Sequence, residues 1–392
     1  MWFSARTGWE LGENVLTAKL REQRAHGGEI LDLTTSNPTA CGFTYDAEVL
    51  LPPLSVPAAL EYEPEPFGLT RARAAVHEYY RDHGADLLVE RICLTTSTSE
   101  AYSYLFRLLC DPGDEVLIAR PSYPLFDFIA RLDSVVLREY PLLYDPGASV
   151  GSAHAWTIDF EALRATINER TRAIVVVHPN NPTGNYVSDA ERAELEALCA
   201  EHELALIVDE VFLDYTVRAA AKPRTFASGN SDALCFVLSG LSKVCALPQM
   251  KLSWIAARGP ENTLRDALAR LEVVADTFLS VNAPTQAALP VWLSDRHCLQ
   301  NQIRDRVRRN LALLDARLRG SNADRLALEG GWTAVLRVPR EIQGHPFAEA
   351  ALDRGVLVQP GEFYGLPEGR AVVSLLTLPE VWERGLKLLP ID

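Results

Sequence analysis

Apolar residues recur through the middle of the chain in short continuous runs, separated by longer segments with helical periodicity. The runs are rich in β-branched residues and predict buried strands at residues 91–97, 115–119, 134–140, 173–178, 204–210 and 233–239. The segments between them predict helices at 99–110, 160–170 and 189–201. Strands that alternate with helices indicate an α/β fold with a mostly parallel central sheet covered by helices.

The two ends of the chain show a different pattern. A helix and an extended segment precede the central region, and long helices at 261–276 and 294–318 follow it, before a tail that mixes strand and helix. A chain of 392 residues is longer than one hydrophobic core usually spans. We therefore predict a large domain at residues 50–285 and a smaller α+β domain built from residues 1–49 and 286–392.

The charge balance limits the class of partner. The formal net charge is −14 and no basic segment stands out, which argues against nucleic acid or an acidic membrane surface as a partner. The 7 cysteines are scattered without metal-ligand spacing, so no metal site is predicted. The first 16 residues contain Arg6, Glu10 and Glu13, so no signal-peptide core is expected, and no apolar run is long enough to span a membrane. These features predict a cytoplasmic protein with reduced thiols.

Three chemically active side chains follow three neighbouring predicted strands. Asn181 lies in the loop after residues 173–178, Asp209 ends the next strand, and Lys243 follows the strand after that. The carboxyl ends of parallel strands meet at one edge of a sheet, where ligands bind. Burial of Lys243 among apolar residues lowers its pKa and favours the free amine. An amine, a carboxylate and an amide together match the needs of pyridoxal phosphate.

Ordered motifs strengthen this interpretation. The chain contains YEPEPFG, PSYP, NNPTG, VDEVF and SGLSK in this order, and with them it resembles the class I/II aminotransferases of pyridoxal-phosphate fold type I over nearly its whole length. The resemblance implies that Lys243 carries pyridoxal 5'-phosphate as a Schiff base and later moves a proton. It also implies that Asp209 partners the ring nitrogen, that Asn181 donates to the ring hydroxyl, and that Tyr123 stacks on the ring.

The resemblance also implies a binding site for the cofactor phosphate. Free amides at a helix N-terminus attract an anion, and the segment TSTSEA stands at a strand-to-helix junction. Hydroxyl and basic groups expected at the phosphate are Ser97, Thr98, Ser99, Ser242 and Lys251. Tyr62 resembles a tyrosine that reaches the phosphate of a neighbouring subunit, which implies a homodimer with sites at the interface.

Two positions depart from the family pattern. Phe212 stands where the family usually has a tyrosine that contacts the ring oxygen, and Tyr215 is the candidate replacement. Val372 stands where the family has an arginine that binds the substrate carboxylate. Arg370 lies two residues earlier, on the same face of the predicted strand, and is expected at the surface. Trp332 is expected in the core or at the pocket.

Three functions remain open from the sequence. The leading hypothesis is an aminotransferase that moves an amino group between an amino acid and a 2-oxo acid, with atypical carboxylate recognition. A lyase that eliminates a group from the β- or γ-carbon needs the same Lys243, Asp209 and Asn181. A sensor that binds the cofactor without turnover is the third alternative, although the sequence has no added nucleic-acid-binding segment.

Overall fold

The computed structural model describes residues 2–145, 147, 155–217, 223–338 and 345–392. Its strands, numbered in chain order within these residues, are β1 Leu31–Asp32, β2 Ile92–Thr95, β3 Glu115–Arg120, β4 Val136–Tyr144, β5 Trp156–Ile158, β6 Thr171–Val177, β7 Ala205–Asp209, β8 Cys235–Gly240, β9 Ser253–Arg258, β10 Asp324–Arg325, β11 Thr333–Arg337, β12 Val356–Leu357, β13 Gln359–Pro360 and β14 Arg370–Ser374. Its helices are α1 Val15–Ala25, α2 Ala47–Leu50, α3 Thr70–Asp82, α4 Thr98–Leu109, α5 Phe126–Leu132, α6 Phe160–Thr166, α7 Asp189–Glu201, α8 Leu241–Val244, α9 Glu261–Phe278, α10 Ala283–Asp295, α11 His297–Leu318, α12 His345–Asp353 and α13 Pro379–Leu388.

A mixed, mostly parallel sheet forms the centre of the molecule. Its strand order is β2-β9-β8-β7-β6-β3-β4-β5, and the neighbours from β8 to β4 pair in parallel. Strands β7 and β8 are buried along their whole length because helices cover both faces. This confirms the predicted α/β fold with a mostly parallel central sheet.

Two strands of this sheet were not predicted, and both are antiparallel to their neighbours. Strand β9 pairs with β8 and β2, and β5 pairs with β4 at the sheet edge. Strand β9 follows the SGLSK segment almost directly, so its apolar residues read as a continuation of that segment rather than as a separate element. Because β9 is antiparallel to β8, it begins at the edge where β8 ends, with Ser253 opposite Gly240.

A second, smaller sheet lies in the C-terminal part of the chain. Its order is β10-β11-β14-β13, with antiparallel pairing throughout. The N-terminal segment joins this region, since β1 pairs in parallel with β12. The domain division at residue 285 stays a proposal; that residue lies inside α10, whose Ala288, Leu289 and Trp292 pack in the core of the large sheet.

Helix ends around the sheet are fixed by side-chain caps. Ser97 caps α4 by accepting a hydrogen bond from the Glu100 amide, and Ser188 and Glu191 form a capping box at the start of α7. These caps fix the connections between strands and helices at the carboxyl edge of the sheet. In the part of the chain that the structure describes, no helix has the length and apolarity to cross a membrane.

Candidate active site

The carboxyl ends of β6, β7 and β8 lie side by side and open onto one cavity. Val177 is opposite Asp209 and Asp209 is opposite Leu238 in the strand register, so the three following loops start at one edge. The cavity has a volume of about 380 Å³. It brings together these sequence-predicted residues: Thr98, Ser99, Tyr123, Asn181, Asp209, Ser242 and Lys243.

Lys243 lies on the short helix α8, directly after β8. Burial lowers the pKa of its ammonium group to about 8, and the nearby Asp209 carboxylate opposes part of that shift. The Nζ atom stands 4.8 Å from the ring centroid of Trp332 and 5.4 Å from that of Phe212. Near neutral pH the amine can therefore take up or release a proton at little cost, as a general acid–base group requires.

Asp209 supplies the carboxylate of the cavity. Its Oδ1 accepts a hydrogen bond from the Val211 amide at 3.1 Å, and its Oδ2 accepts one from the Tyr102 hydroxyl at 3.3 Å. Burial raises its pKa to about 6, while these two donors and Lys243 lower it. A cationic group that entered the cavity beside Asp209 would stabilise the ionised carboxylate further.

The N-terminus of α4 faces the same cavity. Thr98 and Ser99 line it from α4, and Ser242 lines it from α8. The Ser97 hydroxyl oxygen caps the helix, and Ser97 itself is not among the lining residues. A helix of 12 residues presents unpaired amides and the positive end of its dipole here, which suits an anion such as a phosphate.

Asn181 lies in the loop that follows β6. Its Oδ1 is buried and has no hydrogen-bond partner among the described residues, although it borders the cavity. The loop closes at Gly184, where φ is +72° and an added Cβ would come within 2.4 Å of the Gly330 oxygen. The Gly330 amide also donates to the Gly184 oxygen at 2.7 Å, so the loop packs tightly on the segment that leads to Trp332.

Besides Ser97, two further predicted phosphate contacts lie outside this cavity. Lys251 is exposed, although its backbone is at the same sheet edge just before β9. Tyr62 is 78% exposed and lines a separate shallow pocket beside Leu279 and Gln286. The chain by itself therefore brings neither side chain to the cavity wall.

Other parts of the chain contribute lining residues that the sequence analysis missed. All of them are far from Asp209 in the sequence. They come from the N-terminal segment, α4, α5, β13 and the turn after β13: Thr34, Ser36, Tyr102, Phe126, Ile129, Gln359 and Tyr364. Trp332 is 1% exposed and also lines the cavity, so the two interpretations of this residue are compatible. Motif order gave no signal for these residues, because only the folded chain brings them to the strand ends.

The structure shows what surrounds the residues at the two positions that depart from the family pattern. Phe212 lines the cavity, whereas Tyr215 does not and donates its hydroxyl to the Lys243 carbonyl oxygen at 2.6 Å. Val372 is 1% exposed and packs in an apolar cluster with Val335 and Tyr364. Arg370 is half-buried and donates to the Gly369 oxygen at 3.0 Å, outside the cavity wall.

The donor set of the cavity fits pyridoxal phosphate. The buried Lys243 amine loses its proton easily and can therefore form a bond with a carbonyl carbon of the cofactor. The Asp209 carboxylate can pair with a protonated ring nitrogen. The Asn181 amide, whose Oδ1 is unpartnered, the Tyr123 ring and the N-terminus of α4 offer contacts for a polar ring substituent, a ring face and an anion.

Comparison with known proteins agrees with this arrangement. A family model described as aminotransferase class I and II matches residues 60–383. The glutamate-pyruvate aminotransferase AlaA of Escherichia coli (strain K12) is 31% identical over 269 residues, 68% of this chain and 64% of the relative. The matched stretch thus spans less than two thirds of the relative's length.

A plant relative and a solved structure extend the comparison. The S-alkyl-thiohydroximate lyase SUR1 of Arabidopsis thaliana is 30% identical over 233 residues, 58% of this chain and 48% of the relative. An alanine aminotransferase structure from Pyrococcus furiosus superposes with a TM-score of 0.87 at 23% identity, covering 99% of this chain and 98% of that one, and so shares the fold. The chain belongs to the class I and II aminotransferase family, whose members depend on pyridoxal phosphate.

Proposed function

We propose that this chain is a pyridoxal-phosphate-dependent aminotransferase that moves an amino group between an amino acid and a 2-oxo acid. The observation that carries the proposal is that Lys243 and Asp209 line one cavity, with the lysine pKa lowered and the aspartate pKa raised by burial. Perturbed acid and base groups in a cleft are typical of catalytic sites. The names of the relatives support the reaction class.

Each residue of the cavity has a role in this proposal. Pyridoxal phosphate, when bound, supplies an electron-withdrawing ring that makes the proton on the substrate Cα acidic. Lys243 would attach the cofactor through Nζ and, once freed by the substrate amine, would take up the Cα proton at Nζ and then donate it to a carbon atom of the cofactor. Asp209 keeps a positive ring nitrogen charged. Asn181, Tyr123 and the N-terminus of α4 orient the ring and hold the phosphate.

Recognition of the substrate carboxylate is atypical in this proposal. Val372 takes the place of the family's arginine and lies in an apolar cluster. Within the described residues, the cavity wall contains no guanidinium and offers neutral hydrogen-bonding groups such as Gln359, which pairs with Val372 in the small sheet.

Spectroscopy of the cofactor-loaded protein tests the proposed reaction. Mixed with single amino acids and no oxo acid, the protein is expected to convert its cofactor to the aminated form and to release one equivalent of the matching oxo acid. Addition of an oxo acid should then restore the starting spectrum. A loaded protein that leaves every donor in a broad panel unchanged would contradict the proposal and favour a binding role without turnover.

A lyase is the second candidate function, and one observation favours it. The relative SUR1, named as a lyase, shares 30% identity with this chain over 233 residues. Lyase chemistry uses the same lysine, carboxylate and amide. Release of ammonia and an oxo acid over many turnovers, with the starting spectrum kept, would support the lyase and refute amino-group transfer.

We also infer that the protein works as a homodimer with sites at the interface. The support is the position of Tyr62, which is 78% exposed beside the 92% exposed Leu60, as expected for side chains that contact a second copy. Sedimentation velocity of the loaded protein is expected to give the mass of two chains. Tyr62→Ala should then weaken retention of the cofactor, and a monomer at micromolar concentration would contradict the inference.

A further inference from the structure

The described wall of the cavity has few charged groups, and the proposed function assigns them to the cofactor. Among the lining residues that the structure describes, Lys243 is the one cation and Asp209 the one carboxylate. Both are assigned to the cofactor in the function proposed above. The rest of the described wall is neutral, so a charged substrate group finds no further opposite charge there.

The wall beside the reacting lysine is aromatic. The Trp332 ring faces Lys243 Nζ at 4.8 Å and meets the Phe212 ring edge-to-face at 5.0 Å between centroids. Trp332 is held in place because its ring also packs on Tyr215, with 5.0 Å between centroids. A substrate side chain that extends from the Cα toward Trp332 and Phe212 therefore meets an apolar, aromatic surface.

The small sheet offers no cation to this wall from its described residues. The face of β14 that carries Val372 also carries Arg370 and Ser374. Val372 is buried among apolar side chains, and Arg370 lies opposite Arg337 at the far end of the strand pair. Arg337 in turn forms an ion pair with Asp324, so neither guanidinium reaches the cavity wall.

We propose that both substrates of this site, the amino acid and the 2-oxo acid, are monocarboxylic compounds with uncharged, apolar side chains. This inference rests on the proposed aminotransferase function, in which donor and acceptor use one cavity in turn. A second carboxylate on the side chain would be desolvated against Trp332 and Phe212 without an ion pair from the described wall of this chain, which is strongly unfavourable. An apolar side chain gains contact area on the same rings.

A matched pair of unreactive ligands tests the proposal without turnover. Pentanoate and glutarate have the same number of carbons and differ in the second carboxylate. Titrated into the cofactor-loaded protein and followed by calorimetry, pentanoate is expected to bind at least about 10-fold more tightly than glutarate. Glutarate binding that equals or exceeds pentanoate binding would overturn the proposal and show that a cation outside the described cavity wall reaches the ligand. Failure of pentanoate to bind would overturn it as well.

A variant and a pair of amino acids complete the test. Trp332→Leu keeps an apolar wall but removes the indole, and it is expected to weaken binding of 3-phenylpropanoate about 10-fold with little effect on glutarate.

In the spectral assay, 2-aminopentanoate should react faster than glutamate. If pentanoate is preferred but neither amino acid reacts, the substrate class stands and the aminotransferase proposal fails. If both react and glutamate is faster, the aminotransferase stands and the substrate class is wrong.

Discussion

Lys243→Ala is expected to reduce turnover by at least about 10³-fold while the protein still folds and retains part of its cofactor binding. The variant removes the amine that attaches the cofactor in the proposed function and that takes up the substrate proton, with a pKa of about 8. The phosphate contacts at α4 and the ring contacts at Asn181 and Tyr123 remain. Steady-state rates with the best amino donor, together with the absorbance of the dialysed protein, measure both effects.

Stability distinguishes this loss of turnover from misfolding. The folded state lowers the pKa of Lys243 from 10.5 to about 8, so the ammonium opposes folding at pH values below about 8 and this penalty disappears above 10.5. Removing the side chain from the cofactor-free protein at pH 7 therefore relieves a cost, and the melting temperature should not fall sharply. Lys387→Ala, at an exposed lysine on α13, is the matched control and should keep normal turnover. Turnover of Lys243→Ala within tenfold of the unaltered protein would refute the assigned role.

The sequence predicted the strand ends of the site well, and there is a physical reason. Parallel strands covered on both faces consist of nearly continuous apolar residues, so β6, β7 and β8 were visible as runs that stop where the polar residues begin. Helix α7 was predicted at residues 189–201, and the structure gives Asp189–Glu201. Its capping box and its periodic apolar residues are both local signals.

Elements without a local signal were missed. Helix α10 is apolar nearly all round and contains Pro290, so it lacks the polar face by which a surface helix is recognised. Tyr102 supports Asp209 across 107 residues of sequence, and Gln359 reaches the cavity from the small sheet. Contacts of this kind depend on the packing of the whole chain, and no spacing rule predicts them.

The role of Lys251 at the cofactor phosphate stays a prediction, because its backbone and its side chain lie in different surroundings. The family resemblance implied that Lys251, eight residues after Lys243, contacts the cofactor phosphate, and its backbone lies at the sheet edge where β8 ends. Its side chain is exposed in the single chain and does not line the cavity. A motif thus placed the backbone at the site, while the direction of the side chain depends on neighbours that the motif does not contain.

Asp209→Asn is expected to produce the second large effect, a loss of about 10²–10⁴-fold in turnover with weaker cofactor retention. The amide has nearly the same shape as the carboxylate, so it can still accept the hydrogen bond from the Val211 amide at Oδ1. The substitution removes the negative charge of Asp209, which in the proposed function stabilises a positive ring nitrogen of the cofactor. Single-turnover rates measure the catalytic loss, and the cofactor content after dialysis measures retention.

A second readout of Asp209→Asn does not depend on turnover. The Asp209 carboxylate raises the pKa of Lys243 against the effect of burial, so its loss should lower that pKa below about 8. In the cofactor-free variant, the reaction of Lys243 with an amine-selective reagent should therefore reach its midpoint at a lower pH. Glu210→Gln is the matched control, because Glu210 is the adjacent buried carboxylate and bonds instead to Thr225 and Phe226. A control that lost as much turnover as Asp209→Asn would mean that the effect arises from a disturbed strand end, and the charge of Asp209 would then have no special role.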